Sequence, residues 1–354
     1  MQQTSGASDG DFMRKPFIGA QKTITGKLLA TQGYVVGITI SGGGSRQSVA
    51  LADLNGNILH RIRRPSEDIL DTQSVLETLK EMLTEISMPD KLQDGRILRV
   101  GVAVGGLVDA SNGIIRTLHH AHGWDNFPLQ DYLEEQLEVP CIIDNNANAA
   151  ALAETQKGAG VGERIVLYVG LGRGIGGGLI VNNHIYHGSS FTAGELGHLL
   201  VKESGPKCSC GKFGHLEAIA SAQAISRTMI GLSVEYPETV AAISRLTGGR
   251  AERITAEQVF RLAASGDQIA QHIVNEVNTY LGIALANIVQ LINPGLIILG
   301  GQVAQADDLL IEPLRAKIMD LCLPAASEAV RIVRGTLGRE ANILGAVTLA
   351  LQDI

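Results

Sequence analysis

The chain has 354 residues, roughly twice the size of a common domain, so two domains are expected, each able to bury its own core. With 45% hydrophobic and 18% charged residues it has the apolar surface to fold, which excludes a disordered chain and a small disulfide scaffold. A net charge of -7 gives no basic footprint for a polyanion, so direct nucleic-acid binding is not expected.

Met1–Phe17 is Gln, Thr, Ser, Gly and Asp in character with no apolar core of signal-peptide length, and residues 1–33 read as a flexible lead-in with Gln21–Leu29 as a short helix. Tyr34–Ile40 predicts a strand, Ser48–Asp53 and Ile58–Ile62 two more, and Thr72–Ile86 an amphipathic helix with Val75, Leu76, Leu79 and Leu83 at helical spacing. Ile97–Val104 follows as a strand, Leu129–Gln136 as a helix, and Pro140–Asp144 as a strand that leads into the helical run Ala149–Lys157. A second strand cluster starts at Arg164. The long uncharged stretch Leu281–Gly301 is broken by Asn287, Gln290 and the turn Asn293-Pro294-Gly295. It therefore reads as a buried helix and a short strand rather than a membrane span. Of the four cysteines, Cys141, Cys208, Cys210 and Cys322, the Cys208-x-Cys210 pair suits a metal better than a disulfide. A reducing, cytoplasmic location is expected.

The two strand clusters resemble each other. Val35-Val36-Gly37 leads into Ser41-Gly42-Gly43-Gly44, a strand, the turn Asn55-Gly56-Asn57 and another strand. Later, Leu167-Tyr168-Val169 leads into Gly170-Leu171-Gly172-Arg173-Gly174-Ile175-Gly176-Gly177-Gly178, a strand, Asn182-Asn183 and another strand. An internally duplicated α/β fold is expected. Glycines in such turns let backbone N–H groups converge on a phosphate; the competing reading is a pair of merely tight turns.

Gly172–Gly178, Ala193-Gly194-Glu195-Leu196-Gly197-His198 and Cys208-Ser209-Cys210-Gly211-Lys212-Phe213-Gly214-His215-Leu216-Glu217 resemble motifs of the ROK family of sugar kinases and sugar-responsive repressors. The likeness extends to Gly105-Gly106-Leu107-Val108-Asp109, Gly123-Trp124, the run from Asn145 to Glu154, Asn293-Pro294 and Gly300-Gly301. It implies an actin-like ATPase (ribonuclease-H-like) fold of two domains around a central cleft, usually a homodimer. The division it suggests is 34–146 plus 342–354 for the first domain and 147–341 for the second, with the C-terminal helix Asn342–Leu351 packed back on the first.

The spacing His198-x9-Cys208-x-Cys210-x4-His215 offers four N/S ligands, fit for a structural zinc in a loop spanning 198–215, with inert buried cysteines as the competing reading. The family usually has cysteine at the position of His215, so this is a His2Cys2 variant. By resemblance, Asn145, Glu195, His198 and Glu217 hold sugar hydroxyls, with Gly106, Asn146 and His120 alongside, the ligand being a hexose or an N-acylhexosamine. Nucleotide, if bound, falls to Gly43, Gly44, Gly172, Arg173, Gly174, Gly176, Gly300 and Gly301.

Three departures fall on phosphoryl transfer. The family's proton-accepting aspartate is Asn146 here, its phosphate- and magnesium-organising aspartate aligns with Thr39, and a threonine of the second turn is Arg173. Asparagine cannot accept the proton. Asp144 is the nearest substitute, though its side chain should face elsewhere. The expectation is a sugar-binding protein that has lost kinase activity and acts as a sensor or regulator, with a partner protein where one is needed. One alternative is an ATP- and Mg-dependent, glucokinase-like hexose or N-acetylhexosamine kinase. Another is a different sugar-modifying enzyme using the cluster His119, His120 and His122, whose competing reading is a solvated loop. The lead-in is too short for the family's winged helix-turn-helix.

Overall fold

Strand β1 (Gly33–Ile40) sits at the centre of a five-stranded sheet and is buried on both faces, as its Val and Ile content requires. A computed structural model of the protein describes residues 33–40, 47–65, 70–92, 95–118, 121–306 and 308–354. β2 (Gln47–Asp53) and β3 (Ile58–Arg64) continue antiparallel on one side of β1; β4 (Arg96–Val104) and β5 (Cys141–Asn145) continue parallel on the other. The second half repeats this order. β6 (Ile165–Leu171) is central, β7 (Ile175–Val181) and β8 (His184–Ile185) are antiparallel to one side, and β9 (Leu296–Gly300) and β10 (Arg331–Arg334) are parallel on the other. Both sheets thus share one connectivity, as the matched glycine turns and Asn-type hairpins predict.

The helix α1 spans Thr72–Ile86 as its apolar spacing predicts, burying Val75, Leu79, Met82, Leu83 and Ile86. α2 covers Leu129–Leu137. Next comes α3, Asn146–Lys157, which begins one turn earlier than the apolar run suggests. The reason is a cap: Asn145 Oδ1 accepts a 2.7 Å hydrogen bond from the Ala147 N–H, so the helix starts at the end of β5. α4 (Gln268–Ile292) starts at the Asp267 cap and stops at Asn293, whose left-handed φ of 51° ends the helix before Pro294.

α3 and the C-terminal helix α5 (Ala341–Leu351) lie against each other at backbone distance. A Cβ on Gly345 would overlap the Ala149 carbonyl, and one on Gly101 in β4 would overlap the Ala346 carbonyl of α5. The C-terminal helix therefore packs on the first sheet. On its other side α3 meets β7, where Gly178 lies against Ala147 and Ala151. Within α3, every residue from Ala147 to Thr155 is buried.

Glu154 closes the far end of this arrangement. Fully buried, its carboxylate accepts hydrogen bonds from the backbone N–H groups of Ala159 (2.9 Å), Thr336 (3.2 Å) and Leu337 (2.9 Å) and from the Thr336 hydroxyl (3.3 Å). Among the described residues no helix is long and apolar enough to cross a membrane.

The glycine at the sheet–helix contact gives a direct test. Gly101→Ala forces α5 away from β4 and is expected to lower unfolding stability by about 1–3 kcal/mol in urea titration. An unchanged midpoint would mean that α5 is free to shift.

Candidate functional site

The junction of β5 and α3 carries Asp144, Asn145 and Asn146 in succession. Asp144 is buried and accepts three hydrogen bonds: Oδ1 from the Asn145 N–H (2.6 Å) and Asn148 Nδ2 (2.9 Å), and Oδ2 from His187 Nε2 (2.7 Å). Asn145, besides capping the helix, donates from Nδ2 to the Gly106 carbonyl at 2.7 Å, so two of the predicted residues meet directly. Asn146 is the first residue of the helix and half-buried, and its side chain forms no hydrogen bond among the described residues. Thr39 is buried in β1, opposite Ser48.

A second group surrounds the turn between β6 and β7. Glu217, at the start of the single helical turn Glu217–Ala220, accepts from the Ile175 N–H through Oε2 at 3.1 Å and from the Ser209 hydroxyl through Oε1 at 2.8 Å. One carboxylate thus ties the cysteine loop to the glycine turn. Glu195 immediately precedes the short turn Leu196–His198, and its Oε2 lies 3.8 Å from His198 Nε2. Burial and the nearby charge of Glu217 push the Glu195 pKa up. Gly172 and Gly174 close the glycine turn with a 3.0 Å backbone bond, and Arg173 at its tip is exposed. At its base Gly170 pairs with Gly300 of β9, which brings Gly300-Gly301 beside the turn.

His198, Cys208, Cys210 and His215 present ligand atoms that all lie within 4.8 Å of one another. Cys208 Sγ is 3.7 Å from His198 Nδ1, against an edge of about 3.6 Å for tetrahedral zinc with ordinary Zn–S and Zn–N bonds. Cys210 Sγ and His215 Nδ1 are 3.2 Å apart, and the two imidazoles meet edge to face. Sulfur and imidazole donors in this number fit Zn2+. Antiparallel bridges Leu200–His215 and Lys207–Phe213 shape the loop, so the four donors converge without a regular sheet.

Gly43 and Gly44 of the first glycine turn lie outside the described residues, as do His119 and His120. Of His122 only the backbone is described, pairing with Asp71. His187 is a neighbour of the site that the sequence does not single out, whereas Asn148 and Ser209 lie inside the quoted motifs without having been given a role. His187 follows no motif spacing and reaches Asp144 across 43 positions of chain.

The ROK family matches residues 37–353. This chain belongs to it. It is 33% identical to a glucokinase of Halalkalibacterium halodurans, over 90% of this chain and 96% of that one, and 28% identical to a xylose repressor of Bacillus spizizenii, over 90% of this chain and 77% of the repressor. A Streptomyces griseus ROK glucokinase solved with glucose and AMPPNP superposes with a TM-score of 0.77 at 28% identity, covering 90% of this chain and all of that one. The actin-like ATPase fold of ROK sugar kinases is thus that of this chain.

Zinc bound by this ROK chain is expected at about one equivalent by elemental mass spectrometry. Cys210→Ser and His215→Ala should each lower it, whereas His215→Cys should keep it. Retention of full zinc by His215→Ala would remove that residue from the ligand set.

Proposed function

We propose that the protein binds a hexose or an N-acylhexosamine between the start of α3 and the loop carrying Glu195, transfers phosphoryl groups poorly or not at all, and serves as a sensor or regulator. Asn146 carries this reading. It stands where the family's resemblance puts the proton-accepting aspartate, and an amide has no basicity with which to take a hydroxyl proton. Asp144 is a poor substitute, because it is buried and already accepts from three donors.

Sugar recognition would rest on Gly106, Asn145, Asn146, Glu195, His198 and Glu217. Carboxylates and amides together suit a polyol, since each hydroxyl both donates and accepts. A structural zinc on His198, Cys208, Cys210 and His215 would fix the His198 ring through Nδ1 and leave Nε2 on the side of Glu195. Gly172, Arg173, Gly174, Gly176, Gly300 and Gly301 would receive nucleotide where it binds. A sensor of this kind acts through a second copy of itself, as a homodimer, or through a partner protein.

The second reading is an ATP- and Mg-dependent, glucokinase-like kinase, favoured by the glucokinase relative at 33% identity. Transfer of radiolabelled phosphate from ATP to a panel of hexoses and N-acetylhexosamines separates the two. The wild type is expected about 10²–10⁴-fold below Asn146→Asp, the share of rate that a general base supplies. Wild-type transfer at ordinary kinase rates would establish the second reading and require another proton acceptor.

A further inference from the structure

His187 belongs to neither the metal cluster nor the sugar set, yet it joins two of their supports. It lies on the segment from β8 to Glu195, half-buried, with its ring tilted against Phe191 at 5.5 Å and its carbonyl accepting from the Ala193 N–H at 3.1 Å. The ring therefore sits on a loop that folds back on itself just before Glu195. Its Nε2 reaches Asp144 Oδ2 at 2.7 Å, and the other oxygen of that carboxylate holds the Asn145 N–H and Asn148 Nδ2. Asp144, with a side chain only 4% exposed, is thus the node between the loop bearing Glu195 and the strand end bearing Asn145.

We infer that His187 is a positioning residue for the sugar site, its bond to Asp144 holding the Glu195 loop in register with Asn145. The inference rests on the sugar-binding reading above. A charged hydrogen bond to a buried carboxylate is stronger than a neutral one, so the grip of the loop depends on the charge of the imidazole. Asp144 is the one charged group acting on His187 among the described residues. Its hydrogen bond raises the His187 pKa from the ordinary 6.5, against the opposing effect of burial. With a raised folded-state pKa, the stabilisation is fully present below the unfolded value and is lost as pH rises through the folded one. Above it the neutral ring still donates from Nε2, without the charge.

Calorimetric sugar affinity of the zinc-loaded full chain, followed from about pH 5.5 to about pH 9, tests this alongside amide exchange of residues 187–195 without sugar. His187→Gln is expected to weaken binding about tenfold below neutral pH, to remove the alkaline decline and to speed exchange of the loop. His187→Arg, charged throughout, should recover affinity and bind with no alkaline decline. A wild type that binds sugar, with His187→Gln indistinguishable from it in affinity, alkaline limb and exchange, overturns the inference alone. A wild type that binds no sugar of the panel overturns the sugar-binding reading and the inference with it.

Discussion

The contact on which the molecule turns is the packing of α3 against α5 and of both against the sheets. It is made at backbone distance, with Ala149 facing Gly345 and Gly101 facing Ala346. Dispersion attraction falls steeply with separation, so interfaces lined by hydrogen and methyl groups let four layers come close, at the cost of tolerating no larger side chain. The start of α3 inherits this rigidity. Asp144, Asn145 and Asn146 stand where β5 runs into a helix that is buried along most of its length, so their positions follow from the core rather than from a surface loop.

The polar groups around the glycine turn are organised differently. There few regular elements exist, and carboxylates do the work that strands do elsewhere. Glu217 joins the Ile175 N–H to Ser209, and Asp144 joins His187 to Asn145 and Asn148. Each stitches together loops far apart in sequence through charge-assisted hydrogen bonds, which fix direction as well as distance. Beside them, two thiols and two imidazoles converge in an otherwise irregular loop.

The legible parts of the sequence are those with local causes. Thr72–Ile86 shows its helix through apolar periodicity, the two hairpins show theirs through Asn and Gly turns, and the convergence of His198, Cys208, Cys210 and His215 shows itself through close spacing. The duplicated sheet order follows from matched local pieces. By contrast, the true start of α3 depends on one asparagine cap at the end of a strand, which apolar patterning does not register. His187 could not be found either, because its meaning lies entirely in a partner that only the folded chain brings near. The same holds for Glu154, which reads as an ordinary polar helix residue until its three backbone donors are seen.

Glu154 also bears on how the chain is routed. Its carboxylate holds Ala159, just where the chain leaves α3 for the second sheet, beside Thr336 and Leu337, just where it returns toward α5. The outgoing and returning connections of the second half are therefore neighbours, clasped by a single side chain. Adjacent termini are what an inserted unit needs in order to sit within a host without stretching it. The second half is accordingly threaded as an insert between α3 and α5, two helices that pack against each other although 183 positions of sequence separate Glu154 of α3 from Leu337, in the turn after β10.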